Sequence, residues 1–235
     1  MCGRFADADE TDIVDTFSVQ VVRGHRESSD NVSPTDLVRV IMEDTAQPRL
    51  NGQPVRRELR LARWGLLPSW AKVLGQRSPL INARAETLTV KPSFRAAASQ
   101  RRAIVPAAGY YEWEGRPGGK KKQFFLHQKD TPVLGFAGVY EWWRVPNGVV
   151  LPGVEDGWLC SAAIVTRPAL DSIGQIHDRM PVVVPPELAA DWLDPSLTSL
   201  NEVDELLAAI PDPLLVPSQL PPAEPQYGDS LFDQP

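Results

Sequence analysis

Apolar positions divide most of the chain into short strands. Leu37 to Met42 (LVRVIM) and Arg57 to Trp64 (RELRLARW) read as strands, with Asn51-Gly52 as the turn between them. Further strands are expected at Arg101 to Pro106, Gln123 to Leu126, Val133 to Tyr140, Trp158 to Val165 and Met180 to Val184. Helical spacing with a proline or polar start appears at Asp12 to Phe17, Pro92 to Ser99, Pro186 to Leu193 and Asn201 to Ala209. Strands outnumber helices and do not alternate with them, which excludes a doubly wound sheet. The pattern predicts an α+β fold, a single domain of twisted, mainly antiparallel sheet with a barrel-like core and peripheral helices. That domain is expected over residues 1–216, with 217–235 a disordered tail rich in proline and acid.

Length and composition add limits. The chain has 235 residues, enough for a sizeable core, and no apolar run long enough to cross a bilayer. An acidic start after Arg4, with no apolar stretch, does not read as a secretory signal. The two cysteines, Cys2 and Cys160, cannot form a disulfide framework, and a reducing cytoplasm is the expected setting. Cys160, inside WLCSAAIV, reads as a core residue.

Net charge is −6, which alone argues against a nucleic-acid partner. Its distribution argues the reverse. From Asn51 to Asp130 sixteen Lys/Arg face five Asp/Glu, a balance of +11, while Leu151 to Pro235 carries −12. Trp64, Trp70 and Phe94 lie within the basic stretch. Aromatics among cations suit stacking on unpaired bases, although such a stretch can equally be solvated surface.

Candidate chemistry starts at the amino end, MCGRFA. Initiator methionine is generally removed before a small residue, which would leave Cys2 as a terminal 1,2-aminothiol. Its amine titrates near a pKa of roughly 7.7–8.0 and is partly free base at neutrality. Such a terminus can act as an N-terminal nucleophile on amides, or condense with an aldehyde and close to a thiazolidine. It can also be an inert end. In PLINARAET, Asn82, Arg84 and Glu86 alternate, so a strand there would turn all three to one face. That face could be plain solvated surface, or it could hold a phosphate and orient a carbonyl. Glu112, between Tyr111 and Trp113, is either desolvated and fit for proton transfer or exposed and inert. His177 stands beside Asp178 and Arg179 at a strand entry, neighbours that can fix its tautomer. No Cys/His spacing suits a metal and no glycine-rich phosphate loop occurs, so neither a metal nor a cofactor is expected.

Six segments in order, MCGRFA, NVSPTD (Asn31 to Asp36), RWGLLPSW (Arg63 to Trp70), INARAET (Ile81 to Thr87), GYYEW (Gly109 to Trp113) and IHDRMP (Ile176 to Pro181), resemble the SRAP family of SOS-response-associated peptidases and abasic-site processing proteins. The resemblance runs from residue 1 to about residue 195. It implies a protein that shields abasic sites in single-stranded DNA by a thiazolidine link through Cys2 and removes its own Met1. By the same resemblance Asn82 orients the linkage, Glu112 carries protons and His177 assists sugar ring-opening and reversal. Arg4, Asn31, Pro34, Trp64, Trp70, Arg84 and Phe94 would follow the DNA path. A monomer is expected, acting on single-stranded DNA with abasic sites and not on a membrane. The family's closing segment is poorly matched by LLVPSQLPPAE, and Arg144 to Gly157 reads as a loop insertion. Two other classes remain at this stage. One is a glutaminase-type amidohydrolase, whose chains also begin Met-Cys-Gly. The other is a single-strand sensor without chemistry, for which Cys2 would be dispensable.

Overall fold

The computed structural model describes residues 3–43, 56–74, 78–114, 122–169 and 171–220. In chain order it runs β1 (Phe5–Ala6), α1 (Glu10–Phe17), β2 (Val21–Val22), β3 (Leu37–Glu43) and β4 (Arg57–Trp64). Then come β5 (Asn82–Arg84), α2 (Arg95–Gln100), β6 (Arg102–Ala107), β7 (Gly109–Glu114) and β8 (Lys122–His127). The remainder is β9 (Leu134–Arg144), β10 (Val154–Glu155), β11 (Trp158–Pro168), α3 (Asp171–Ile176), β12 (Arg179–Pro181), α4 (Ala189–Leu193), α5 (Leu200–Ala209) and β13 (Val216–Gln219).

Five strands close into a barrel. β11, β9, β6, β3 and β4 pair in that order, antiparallel throughout, and β4 then pairs with β11 in parallel at Ser161↔Arg63 and Ala162↔Trp64. A small barrel needs small inward residues beside large ones. Ala62, Ala103 and Ala162 fill it together with Trp64, Val105, Phe136 and Ile164, all fully buried or nearly so. The outward residues Ile41, Leu59, Ile104, Ala137 and Val139 pack under the helices. Gly135 sits where α1 meets the wall, and a Cβ there would stand 2.6 Å from the Phe17 ring. A second, four-stranded sheet, β1-β7-β8-β13, lies across one end of the barrel, where Phe5, Tyr110 and Leu126 join the barrel's own core.

The helices start where the sequence supplies caps. Asp9 accepts from the Thr11 N–H at 2.8 Å ahead of α1, and Ser199 caps α5 with Glu202 three residues on. Arg102 holds the helical side of the wall. Its guanidinium donates to the carbonyls of Ala98, Ser99, Trp192 and Asp194 and lies over the Trp192 ring.

The α+β reading with barrel core and peripheral helices agrees with this architecture, and three details differ. β13 pairs with β8 across the boundary expected between residues 216 and 217, so ordered chain continues past it; residues 221–235 of the expected tail lie outside the described residues, as does the Asn51-Gly52 turn. The segment Arg144 to Gly157 is not all loop. It ends in a β10–β11 hairpin whose turn residues Asp156 and Gly157 both take positive φ, 50° and 77°. Finally, β5 stops at Arg84 and a 3-10 turn begins at Ala85, so Glu86 leaves the face shared by Asn82 and Arg84.

Candidate active site

The start of the chain is fastened before it reaches any chemistry. Phe5 pairs with Tyr110, and the Arg4 carbonyl accepts from the Tyr111 N–H at 2.9 Å, so the ladder runs on toward Gly3 and Glu112. On its other edge Phe5 exchanges two backbone hydrogen bonds with Val32. Asp7, buried, accepts from the guanidinium of Arg26 and from the Ser29 N–H, and Tyr111 donates its hydroxyl to the Asp30 carbonyl at 2.8 Å. Cys2 itself lies outside the described residues.

Beneath this segment is an aromatic floor. The Phe5 and Trp64 rings are 5.1 Å apart, Phe5 and Phe136 6.1 Å, and Tyr110 and Phe136 5.9 Å. The Trp64 indole donates to the Ile81 carbonyl at 3.0 Å, which fixes the residue just before Asn82. Asn82 then pairs in parallel with Ile164 on β11. Both flanks of the site are thus set by one packed cluster.

Glu112 points inward with Tyr110, two residues away on β7, and is only 3 % exposed. Burial raises its carboxyl above the ordinary carboxylate range. Of the two readings open from sequence, desolvated and exposed, the structure gives the first. His177 arrives from α3, which packs on β7. Its Nδ1 is 3.0 Å from the Arg179 backbone N–H and 2.8 Å from Asp178 Oδ1, and these neighbours make opposite demands. The amide can only donate and is fixed at the entry to β12, whereas the Asp178 carboxylate is 84 % exposed and can turn into water. We therefore place the Nδ1 lone pair on the amide and the neutral ring's proton on Nε2.

The structure also shows a brace that sequence reading missed. Arg179, buried, makes a two-pronged pair with Glu86 and donates to the Thr166 carbonyl. It ties the segment carrying Asn82 to the segment carrying His177. The Arg179 hydrogen bond holds the Glu86 carboxyl below the usual range. The two motifs contained both residues, but neither spacing shows that they meet across β11.

Of the expected DNA-path residues, Arg4, Asn31, Pro34, Trp70 and Arg84 are at least partly accessible. Arg4 Nη1 donates to Asn31 Oδ1 at 2.9 Å, and Trp70 is 60 % exposed. Trp64 and Phe94 are corrections. Trp64 is 1 % exposed and Phe94 4 %, one in the barrel and one under the helices, so neither can stack on a base. Both lost the competition between stacking and core burial because their strand or helix register turns them inward. The positive balance of the middle stretch is likewise partly internal. Arg57, Arg60 and Arg101 pair with Glu43, Glu58 and Glu141, and Arg102 is enclosed. Among the described residues no group of His, Cys, Asp or Glu is arranged to hold a metal ion. Cys160 is buried and its thiol is pushed far above its ordinary pKa, which leaves it unreactive.

A family model described as SOS response associated peptidase (SRAP) matches residues 1–220. The abasic site processing protein YoqW of Bacillus subtilis (strain 168) is 35 % identical over 210 residues, 88 % of this chain and 86 % of that protein. The abasic site processing protein YedK of Escherichia coli (strain K12) is 30 % identical over 216 residues, 89 % of this chain and 86 % of that protein. Among solved structures, a crystal structure of a protein from Bacteroides thetaiotaomicron superposes with a TM-score of 0.71 at 25 % identity, covering 88 % of this chain and 86 % of that one.

Proposed function

The chain belongs to the SOS response associated peptidase (SRAP) family, and on that footing we propose that it processes abasic sites in single-stranded DNA by covalent capture at its amino terminus. The observation that carries the reading is the fastening of the chain's first residues beside a buried carboxyl, Glu112, whose pKa burial raises. The names of the relatives, abasic site processing proteins, support the substrate class.

Chemically, the arrangement suits a terminal aminothiol. After hydrolysis of the Met1–Cys2 peptide bond, the Cys2 amine adds to the C1′ aldehyde of the opened sugar. Water leaves to give an imine. The Cys2 thiol then adds across the C=N bond, its proton passes to nitrogen, and a thiazolidine closes. Glu112, whose carboxyl burial pushes up, is the group suited to pass a proton to the departing hydroxyl. His177, with its proton on Nε2, is the group suited to opening the sugar ring, and Asn82 to orienting the adduct. Arg4 and Arg84 offer charge to phosphates and Trp70 an indole face to a base.

The test is direct. Purified untagged protein is incubated with a single strand bearing one abasic site, and a denaturation-resistant adduct is sought by gel and intact mass. The expected adduct lacks Met1 and is lost in Cys2→Ala. A variant with a non-removable residue ahead of Cys2 should also fail, since its nitrogen is an amide. A stable adduct from that variant at the normal rate would refute the aminothiol mechanism. Without crosslinking, binding should favour single strands over duplex, checked by competition.

A further inference from the structure

Outside the barrel, beside the site, lies a hollow of about 550 Å³ walled by Leu66, Leu67, Leu80 and Pro79, with Trp70 at its lip. Thr35 and Arg63 line it and also line an adjoining hollow of about 410 Å³. We propose that the larger hollow receives the base of a nucleotide neighbouring the lesion, with Arg63 on the divide taking that nucleotide's phosphate. This rests on reading the chain as a protein of lesion-bearing single strands, and it supplies a device for sensing the sequence around the lesion.

Three observations carry it. Arg63 differs from the other arginines of the barrel wall. Its guanidinium is desolvated, and among the described residues no carboxylate pairs with it and its hydrogen bond is a long 3.4 Å approach to the Gly65 carbonyl. Arg57, Arg60 and Arg101 are paired with carboxylates, and Arg102 with carbonyls. A cation left this way at a concave, partly apolar surface fits an anion that comes from outside. Second, Thr35, a β-branched residue, is held at φ 80° by the hydrogen bond from its N–H to the Trp64 carbonyl. Strain of that kind at a rim is found where a ligand is gripped. Third, the hollow is tied to the site along the chain, Leu80 of its wall lying two residues before Asn82. Asn31, bonded to Arg4, is four residues from Thr35, a span of at most about 14 Å of chain. A strand engaged at the amino terminus therefore passes the hollow within a short run of nucleotides. An aliphatic and aromatic wall suits the face of a base, and the rim hydroxyls of Ser78 and Ser93 suit its polar edge.

The experiment uses non-covalent binding, so it reads the hollow whether or not the chain crosslinks. The probe is a fluorescent 11-mer of thymidine carrying a central tetrahydrofuran, which mimics an abasic site but has no aldehyde. In a series of probes, each neighbouring position in turn also loses its base. For the wild type, one position should cost about 10-fold in Kd when its base is removed, and the others far less. Val73→Trp, at an exposed position lining the hollow, places an indole in that space and should reduce the cost at that position to under about 2-fold. Arg63→Met should lower affinity for every probe about equally and flatten the log–log salt dependence by about 0.7, and Arg63→Lys should restore the slope. Equal sensitivity at all positions in the wild type, undiminished sensitivity in Val73→Trp, or an unchanged slope in Arg63→Met would each overturn the proposal. A strand that binds in this pattern but yields no adduct when an aldehyde is supplied would instead count against the capture chemistry.

Discussion

Arg102 and Arg63 lie in the same basic stretch and on strands of the same barrel, yet the structure uses them oppositely. Arg102, 3 % exposed, meets four carbonyl oxygens at the ends of α2 and α4, and Trp192 lies beneath it. Burial, partly offset by Asp194 and Glu43, lowers its pKa to about 10, and its guanidinium donates to carbonyls of the fold. Arg63 is also desolvated, but among the described residues only one long hydrogen bond answers it, and Trp70, which lines the same hollow, stands in solvent. One region of the molecule is closed on itself. The other is built to be completed from outside. The difference shows that neither charge nor aromatic content marks a binding face; the balance of unmet demands does.

Five substitutions would sharpen or break that contrast. The largest effect is expected at the site itself. Glu112→Gln should slow adduct formation by roughly 10²–10⁴-fold, as loss of a general acid/base does. It should also stabilise the protein at neutral pH. A carboxyl whose folded pKa is raised binds its proton more tightly in the folded state, so stability is full below the unfolded value of about 4.5 and falls as pH rises through the folded one. Melting curves at pH 4 and pH 7.5 should therefore show the wild type losing stability that the glutamine variant keeps.

Next comes the closed region. Trp192→Ala should cost about 3–5 kcal/mol in urea unfolding, since a fully buried indole leaves a cavity and the Ala103 carbonyl loses its Nε1–H donor. Arg102→Met should follow at about 1–3 kcal/mol, the penalty for carbonyls left without a donor. Neither should alter the salt slope of DNA binding measured where the variant is folded. If either does, the helix-clad wall is not separate from the rim.

The smallest stability effect belongs to the open region. Trp70→Ala should change stability by no more than about 0.5 kcal/mol, because most of the ring is already in water. It should nonetheless weaken single-strand binding by about 1–3 kcal/mol if a base stacks there. Arg84→Ala, similarly exposed, should flatten the salt slope by about 0.7 with no change in melting temperature.

What the sequence determined by itself is local. Short apolar runs located nearly every long strand of the barrel, because strands covered on both faces by the barrel core and the helices are apolar on both. Polar and proline starts indicated helices from Asp12 and Asn201, while the capping residues themselves, Asp9 and Ser199, emerge only in the structure. The motifs INARAET, GYYEW and IHDRMP identified Asn82, Glu112 and His177 as candidates before any geometry was available. The tertiary structure decided the rest. Only packing could show that Trp64 and Phe94 face the core while Trp70 does not, because all three are aromatics in one basic stretch and burial depends on what lies across the barrel. Only the meeting of β5 and β12 on opposite edges of β11 could pair Glu86 with Arg179, residues 93 positions apart. Glu112, finally, is a surface acid or a buried one according to which way β7 turns it, and the difference between the two is a second sheet laid across the barrel's end, a long-range contact that no local pattern encodes.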